Sequence, residues 1–202
     1  MQLLHIDSSV LGSQSASRAL SAEIVARQTA LHPGLTVIRR DLAADALLHL
    51  SPAHVAAWNG AAVNDTQLGA DLAKGGEYLD ELTAADLIVI GAPMYNFSIP
   101  SQLKGWIDRV VMKGKTFSYG ANGPEGLLKN KKVFIASSRG NVYTAGSPAA
   151  ALEHHESYLT GVLNFIGLTD ITIVRAEGLA FSPEAREAAM SKARANIAAM
   201  AA

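Results

Sequence analysis

The sequence predicts an α/β fold, a doubly wound five-stranded parallel sheet in the order 2-1-3-4-5 with helices on both faces. Two observations carry that expectation. Short apolar runs of strand length alternate with longer segments whose apolar residues recur at helical spacing. Such alternation calls for right-handed crossovers, which place helices on both faces of a parallel sheet. Pro and Gly are scattered along the 202 residues, and 49% of the chain is hydrophobic, so one domain over 1–202 with one core is expected.

Leu3 to Asp7 is the first strand, followed by a Ser-rich loop that runs to Ser17. Leu20, Ile24 and Leu31 then mark one helix face, ended by His32-Pro-Gly34. Leu35 to Arg40 is the second strand. Ser51-Pro-Ala-His starts a helix, with serine as cap and proline at its first position. Leu72, Leu79 and Leu82 predict a helix over 71–83, ahead of the buried strand Asp86–Gly91. A helix over 102–110 follows. Lys132–Ala136 and Asp170–Val174 are the last two strands, separated by a helix carrying Leu152, Leu159, Leu163 and Ile166. Met190, Ala193, Ile197 and Met200 mark a final helix over 184–201.

Composition excludes several functions. A formal net charge of -1 lacks the basic footprint of a nucleic-acid binder. With no cysteine there is no thiolate nucleophile, iron–sulfur cluster or Cys-based zinc site, so redox chemistry would need a bound organic cofactor. Met1 to Asp7 lacks the basic-then-apolar pattern of a signal peptide, and the apolar runs are far shorter than the ~20 residues of a membrane helix. A cytoplasmic location is expected.

In doubly wound sheets ligands bind beyond the carboxyl ends of the strands, where the winding reverses. Three loops belong there. Ser9, Ser15 and Ser17 precede a helix, whose free N–H groups and serine hydroxyls suit an anion, although a serine there also serves as a plain cap. Gly91–Ser101 holds Tyr95, Asn96 and Phe97 between prolines, a stiff platform for a flat heterocycle; the aromatics equally suit core positions under the next helix. Ser137–Gly146 carries Gly140, which permits close approach or a positive φ, while Arg139 reads equally as a solvated turn residue.

Other patterns fail on context. Gly114-Lys-Thr116 resembles a P-loop end, but Arg109 stands where the first glycine belongs. Thr116-Phe-Ser-Tyr-Gly120 lacks the first glycine of a nucleophile elbow, which makes a serine hydrolase a poor alternative. Adjacent His154 and His155 point about 100° apart on a helix and suit solvent rather than a metal. Asp7 has no second acid beside it in sequence, unlike a phospho-acceptor site.

Pro93–Arg109, Lys115–Gly120 with Gly123–Leu128, and the loops around Ser15 and Gly140 resemble the bacterial FMN-dependent NADH azoreductases, which group with the flavodoxin-like NAD(P)H quinone reductases. The resemblance covers essentially the whole chain. It implies FMN as cofactor, NADH or NADPH as electron donor, a quinone or aromatic azo compound as acceptor, and a homodimer with two interfacial sites. By position, Ser9, Ser15, Ala16 and Ser17 would cradle the FMN phosphate. Pro93, Met94, Tyr95, Asn96 and Phe97 would line the ring, with Ser138, Arg139, Gly140, Asn141 and Tyr143 at its pyrimidine end. Trp58, Phe117, Tyr119 and Phe165 would wall the acceptor. No side chain is assigned as acid or base, because the flavin carries the hydride. Asn141 replaces a second glycine usual in the family, though asparagine also tolerates positive φ. The rival from another class is a non-enzymatic flavin electron carrier, whose acidic docking face this near-neutral chain lacks.

Overall fold

A strand as apolar as Leu87–Pro93, buried at every position, needs cover on both faces, and the architecture supplies it. The computed structural model describes residues 1–121 and 123–201. In chain order, the first half comprises β1 (Gln2–Asp7), α1 (Ala16–Leu31), β2 (Thr36–Asp41), α2 (Pro52–Trp58), α3 (Thr66–Ala84) and β3 (Leu87–Pro93). The second half comprises α4 (Ser101–Val110), β4 (Phe117–Gly120), β5 (Gly123–Gly126), β6 (Lys132–Ser138), α5 (Glu156–Phe165), β7 (Asp170–Ala176) and α6 (Pro183–Ala198).

Five strands form one sheet in the order β2-β1-β3-β6-β7, with every neighbouring pair parallel. This is the 2-1-3-4-5 order that the alternation predicts. Because successive side chains point to opposite faces, each apolar run is shared between two cores. Leu4, Ile6, Ile88, Ile90, Val133 and Ile135 pack toward α3, α4 and α5, around Trp106 and Leu163. Leu3, Leu87, Val89, Phe134 and Ala136 pack the other way, against Leu20 and Ile24 of α1 and Met190 and Ile197 of α6. Asp7 pairs with Asp41 and Gly91, and Ser138 pairs with Pro93 and Ala176, so the strand ends and their loops share one edge.

Capping explains several element bounds. α3 begins five residues before the expected start at 71, because the Asp65 carboxylate accepts from the N–H groups of Gln67 and Leu68. Ser51 caps α2 in a box with His54, as its sequence predicts. Leu152 lies in a separate 3-10 turn, Ala150–Leu152, and α5 starts only at Glu156, where the Glu153 carboxylate accepts from the N–H groups of His155, Glu156 and Ser157. The last helix ends at Ala198 rather than 201. The antiparallel pair β4 and β5 is an element that periodicity does not reveal.

Two histidines thought alike differ. His154 is exposed, but His155 is fully buried at the start of α5, so the expectation of a solvated residue fails there. Asp7 does have an acid beside it: Asp41 is its register partner, and Arg18 pairs with both, at 3.8 Å from Asp7 and 2.6 Å from Asp41. The acid pair is therefore tied together by a shared arginine. Among the described residues no cluster of three or more His, Asp or Glu side chains is arranged for a metal ion, and no helix is long and apolar enough to cross a membrane.

Candidate active site

A small, open cleft of about 200 Å³ lies at the carboxyl edge of the sheet. One wall is the start of α1. Ser15 is its N-cap, with Oγ accepting from the Arg18 N–H (3.3 Å) and 3.0 Å from Ser17 Oγ. The N–H groups of Ala16 and Ser17 have no acceptor among the described residues, as first-turn donors often do not. Ser9, Ser15 and Ser17 are buried around them.

Arg18 holds this loop from behind. Its Nε and one terminal nitrogen donate to the Ser9 carbonyl (3.1 and 2.7 Å), and both terminal nitrogens donate to Asp41. The hydrogen bonds from Arg18 hold the Asp41 carboxyl below the usual range. Its charge is thus committed before any ligand arrives.

The second wall is the end of β3. The Tyr95 hydroxyl lies 3.0 Å from Ser9 Oγ and accepts from the Val10 N–H at 3.3 Å, joining the loop after β1 to the loop after β3. Tyr95 and Ser98 exchange two backbone hydrogen bonds around Asn96 (φ 47°) and Phe97 (φ 73°), a two-residue turn with both central residues left-handed. Asparagine suits the first position. Phenylalanine at positive φ costs about 1–3 kcal/mol, a strain held in place here by the Phe97 carbonyl accepting from the His154 N–H at 3.1 Å. Phe97 is 42% exposed and Tyr95 partly so, hence neither is a core residue.

The third wall follows β6. The backbone of 139–141 is laced to the turn after β7: Leu179 and Ala180 N–H donate to the Arg139 and Gly140 carbonyls, and Gly178 N–H to that of Asn141. Neither Gly140 nor Asn141 has positive φ, so the backbone does not demand glycine at 141. A methyl group at Gly140 would make ordinary contact with Ala180, at 3.5 Å.

Comparison with known proteins agrees with this architecture. Residues 1–201 match the family described as the flavodoxin-like fold. The chain is 51% identical over 202 residues, the full length of both chains, to the FMN-dependent NADH:quinone oxidoreductase of Bradyrhizobium sp. strain BTAi1. The chain belongs to the flavodoxin-like family of FMN-dependent NADH:quinone oxidoreductases. FMN-dependent NADH:quinone oxidoreductase 2 of Pseudomonas aeruginosa is 54% identical over 199 residues, 98% of this chain and 97% of that relative. The crystal structure of an FMN-dependent NADH-azoreductase from Bacillus anthracis in complex with FMN superposes with a TM-score of 0.85, at 25% identity over 98% of each chain.

The cleft of this flavodoxin-like protein fits that cofactor on its own chemistry. Unpaired N–H groups and hydroxyls at a helix start suit a phosphate, while Pro93, Met94 and Tyr95 offer a wall for a flat ring. Of the residues expected at the cofactor, Ser9, Ser15, Ala16, Pro93, Met94, Tyr95, Ser138, Arg139 and Gly140 line the cleft. Ser17 stands directly behind Ser15. Asn96, Phe97, Asn141 and Tyr143 lie outside the lining, with Phe97 and Tyr143 edge to face at 6.2 Å. Sequence reasoning missed Leu11, Gln14, Leu179, Ala180 and Arg186. The last three follow β7, the edge strand two places beyond β3 and the winding reversal.

The four aromatics expected around an acceptor do not gather in one place. Phe117 packs against Phe165 (4.7 Å) and Tyr119 (5.5 Å), whereas Trp58 stands beside His54 (6.3 Å) and the Arg109 guanidinium (6.0 Å). Near Trp58, Ser51 Oγ lies 2.8 Å from His54 Nδ1, and His54 Nε2 lies 3.1 Å from Asp71. This is no nucleophilic triad: Ser51 and His54 form the cap of α2, and Arg109 takes the same Asp71 oxygen at 2.7 Å. Ser118 of the near-elbow is a strand residue opposite Glu125, and Lys115 precedes a strand rather than a helix.

Arg139 is not solvated. Its side chain is 1% exposed and pairs with Glu156 (2.6 Å), Glu153 (3.3 Å) and Glu177 (3.7 Å), while Arg175 takes the other Glu156 oxygen at 2.6 Å. Burial works against the Glu156 carboxylate, but Arg175 and Arg139 hold its pKa below the ordinary value. Beside them the His155 ring has no hydrogen-bond partner on either nitrogen among the described residues.

Burial, and then the charge of Arg139, push His155 down to about 4. The unfolded chain therefore binds the extra proton between its ordinary value near 6.5 and about 4. Stability falls as pH drops through that window. Acidification from pH 7 to 5 is expected to cost on the order of 2 kcal/mol from this residue alone. His155→Leu should remove most of that loss in urea denaturation at the two pH values; an unchanged pH dependence would show that the ring does not titrate this way.

Proposed function

We propose that this protein is an FMN-dependent NAD(P)H oxidoreductase that reduces quinones by two electrons and cleaves aromatic azo compounds to amines, using one cleft for donor and acceptor in turn. The observation that carries the reading is the start of α1, where free Ala16 and Ser17 N–H groups stand beside the buried hydroxyls of Ser9 and Ser15 at a cleft walled by Pro93–Tyr95. Bound FMN supplies the centre that accepts a hydride from the dinucleotide and passes two electrons onward.

The chain's task is to orient and to exclude. Ser9, Ser15, Ala16 and Ser17 hold the phosphate. Met94 and Tyr95 set the ring plane, and Ser138–Gly140 border its polar edge. Asn96, Phe97, Asn141 and Tyr143 would close over that edge from outside the lining. Among the described residues no Asp, Glu, His or Lys lines the cleft, which fits a reaction needing no protein acid or base. An azo bond takes two rounds to become amines and a quinone one, so quinone reduction is the simpler use of the same site.

The name oxidoreductase on relatives above 50% identity favours an enzyme over a carrier. We place the protein in the cytoplasm as a homodimer. Exposed Tyr119 beside Phe117 and Phe165, together with exposed Trp58, Val55 and Val63, supply apolar surface for a second copy and a wall for the acceptor.

The visible spectrum of the protein supplied with FMN, followed through anaerobic NADH addition and then quinone, tests the reading. A flavin spectrum that bleaches and recovers is expected, from material that elutes as a dimer. Absence of bound flavin would overturn the function, and monomeric elution the assembly.

A further inference from the structure

The phosphate end of the cleft is short of positive charge. A phosphate monoester carries close to two negative charges at neutral pH, yet the donors at the start of α1 are neutral N–H and O–H groups. The two nearby buried or half-buried arginines are already committed. Arg18 is neutralised by Asp41 and Asp7, and Arg139 by Glu156, Glu153 and Glu177.

Arg186 is different. It lines the cleft, is exposed, and makes no ion pair among the described residues. It stands in the first turn of α6, with its N–H bonded to the Ser182 carbonyl at 3.0 Å. Its guanidinium reaches toward α1, 3.5 Å from the carbonyl of Gln14, the residue before the Ser15 cap. A cation in the first turn of a helix opposes the helix dipole. Glu184 shares the turn but is engaged with Ser182 instead. An anion in the cleft would offset that local cost and satisfy the free guanidinium together.

Resting on the FMN reading above, we infer that Arg186 is a positioning residue that supplies the missing positive charge to the flavin phosphate, closing the cleft from the α6 side. Riboflavin, which lacks the phosphate, isolates the effect. The flavin-stripped full chain is titrated with FMN and with riboflavin by quenching of flavin fluorescence, for the wild type, Arg186→Ala, Arg186→Lys and Arg186→Glu.

Arg186→Ala is expected to weaken FMN about tenfold, the size of one charge-assisted hydrogen bond, and to leave riboflavin unchanged. Arg186→Lys recovers part of the loss and Arg186→Glu deepens it. The difference from wild type shrinks as salt is raised. Equal weakening of both flavins would overturn the inference in favour of a structural role. Unchanged FMN affinity with a raised KM for NADH would overturn it in favour of the dinucleotide's phosphates. Unchanged affinity and KM would overturn it outright, and a wild type that binds no FMN would instead sink the functional reading on which it rests.

Discussion

Arg139→Ala is expected to destabilise the protein by about 3–5 kcal/mol, the usual cost of removing one partner from a buried ion cluster. The balance of charge explains why. Three carboxylates, Glu153, Glu156 and Glu177, face two guanidiniums, Arg139 and Arg175. The surplus negative charge is tolerated because Glu153 accepts three N–H groups at the start of α5, where the helix dipole favours an anion. Without Arg139 the buried Glu156 keeps only Arg175. The loop 138–140, whose backbone borders the cleft, loses the side chain that anchors it.

Thermal and urea unfolding check this. For a chain of this length each kcal/mol shifts Tm by roughly 2–4 °C, so a fall of about 6 °C or more is expected. Arg139→Lys should recover little, since an ammonium cannot reproduce the forked geometry. Adding Glu156→Gln to Arg139→Ala should restore part of the stability, because the uncompensated charge is then gone. A Tm for Arg139→Ala within about 2 °C of wild type would refute the account.

Gly126→Ala is expected to cost about 3 kcal/mol, through overpacking against backbone that has no room to move. A β-carbon at Gly126 would fall well inside contact distance of Ile166 and Gly167. Gly167 answers it with φ +100°, and a β-carbon there would run into the carbonyls of Leu128 and Gly126. These glycines let β5 dock directly on the turn between α5 and β7, fastened by the Leu128 N–H to Ile166 carbonyl bond at 3.0 Å. The same docking sets Phe117 against Phe165.

The variant should therefore unfold at lower denaturant than wild type. Gly161→Ala is the control: within α5 a methyl group there meets nothing within 4 Å, and helix propensity favours it by up to about 1 kcal/mol. Equal stability of Gly126→Ala and wild type would show that the hairpin yields without cost.

The sheet was legible because its signal is local. Runs such as Leu87–Ile90 are apolar at every position, and only strands covered on both faces bury such runs. The hairpin was not legible for the opposite reason. Gly123-Pro-Glu-Gly126 has no strand propensity and extends only because it is pinned to Phe117–Gly120 and to the turn at Gly167. The start of α3 was hidden because its first turn is polar and rests on the Asp65 cap rather than on an apolar stripe.

The site divides in the same way. Ser9, Ser15, Met94 and Gly140 reach the cleft because they follow strand ends, which a count of alternating elements locates. The sequence alone thus determined the layer order, the sheet edge that carries the cleft, and the neutral donors at the start of α1. Tertiary structure alone decided that Arg139 and His155 are buried, that Leu179, Ala180 and Arg186 complete the cleft, and that Trp58 stands away from Phe117 and Phe165. Periodicity is a property of neighbours along the chain. Ion pairing, desolvation and cleft closure depend on groups brought together from distant segments, and only the packed fold sets those distances.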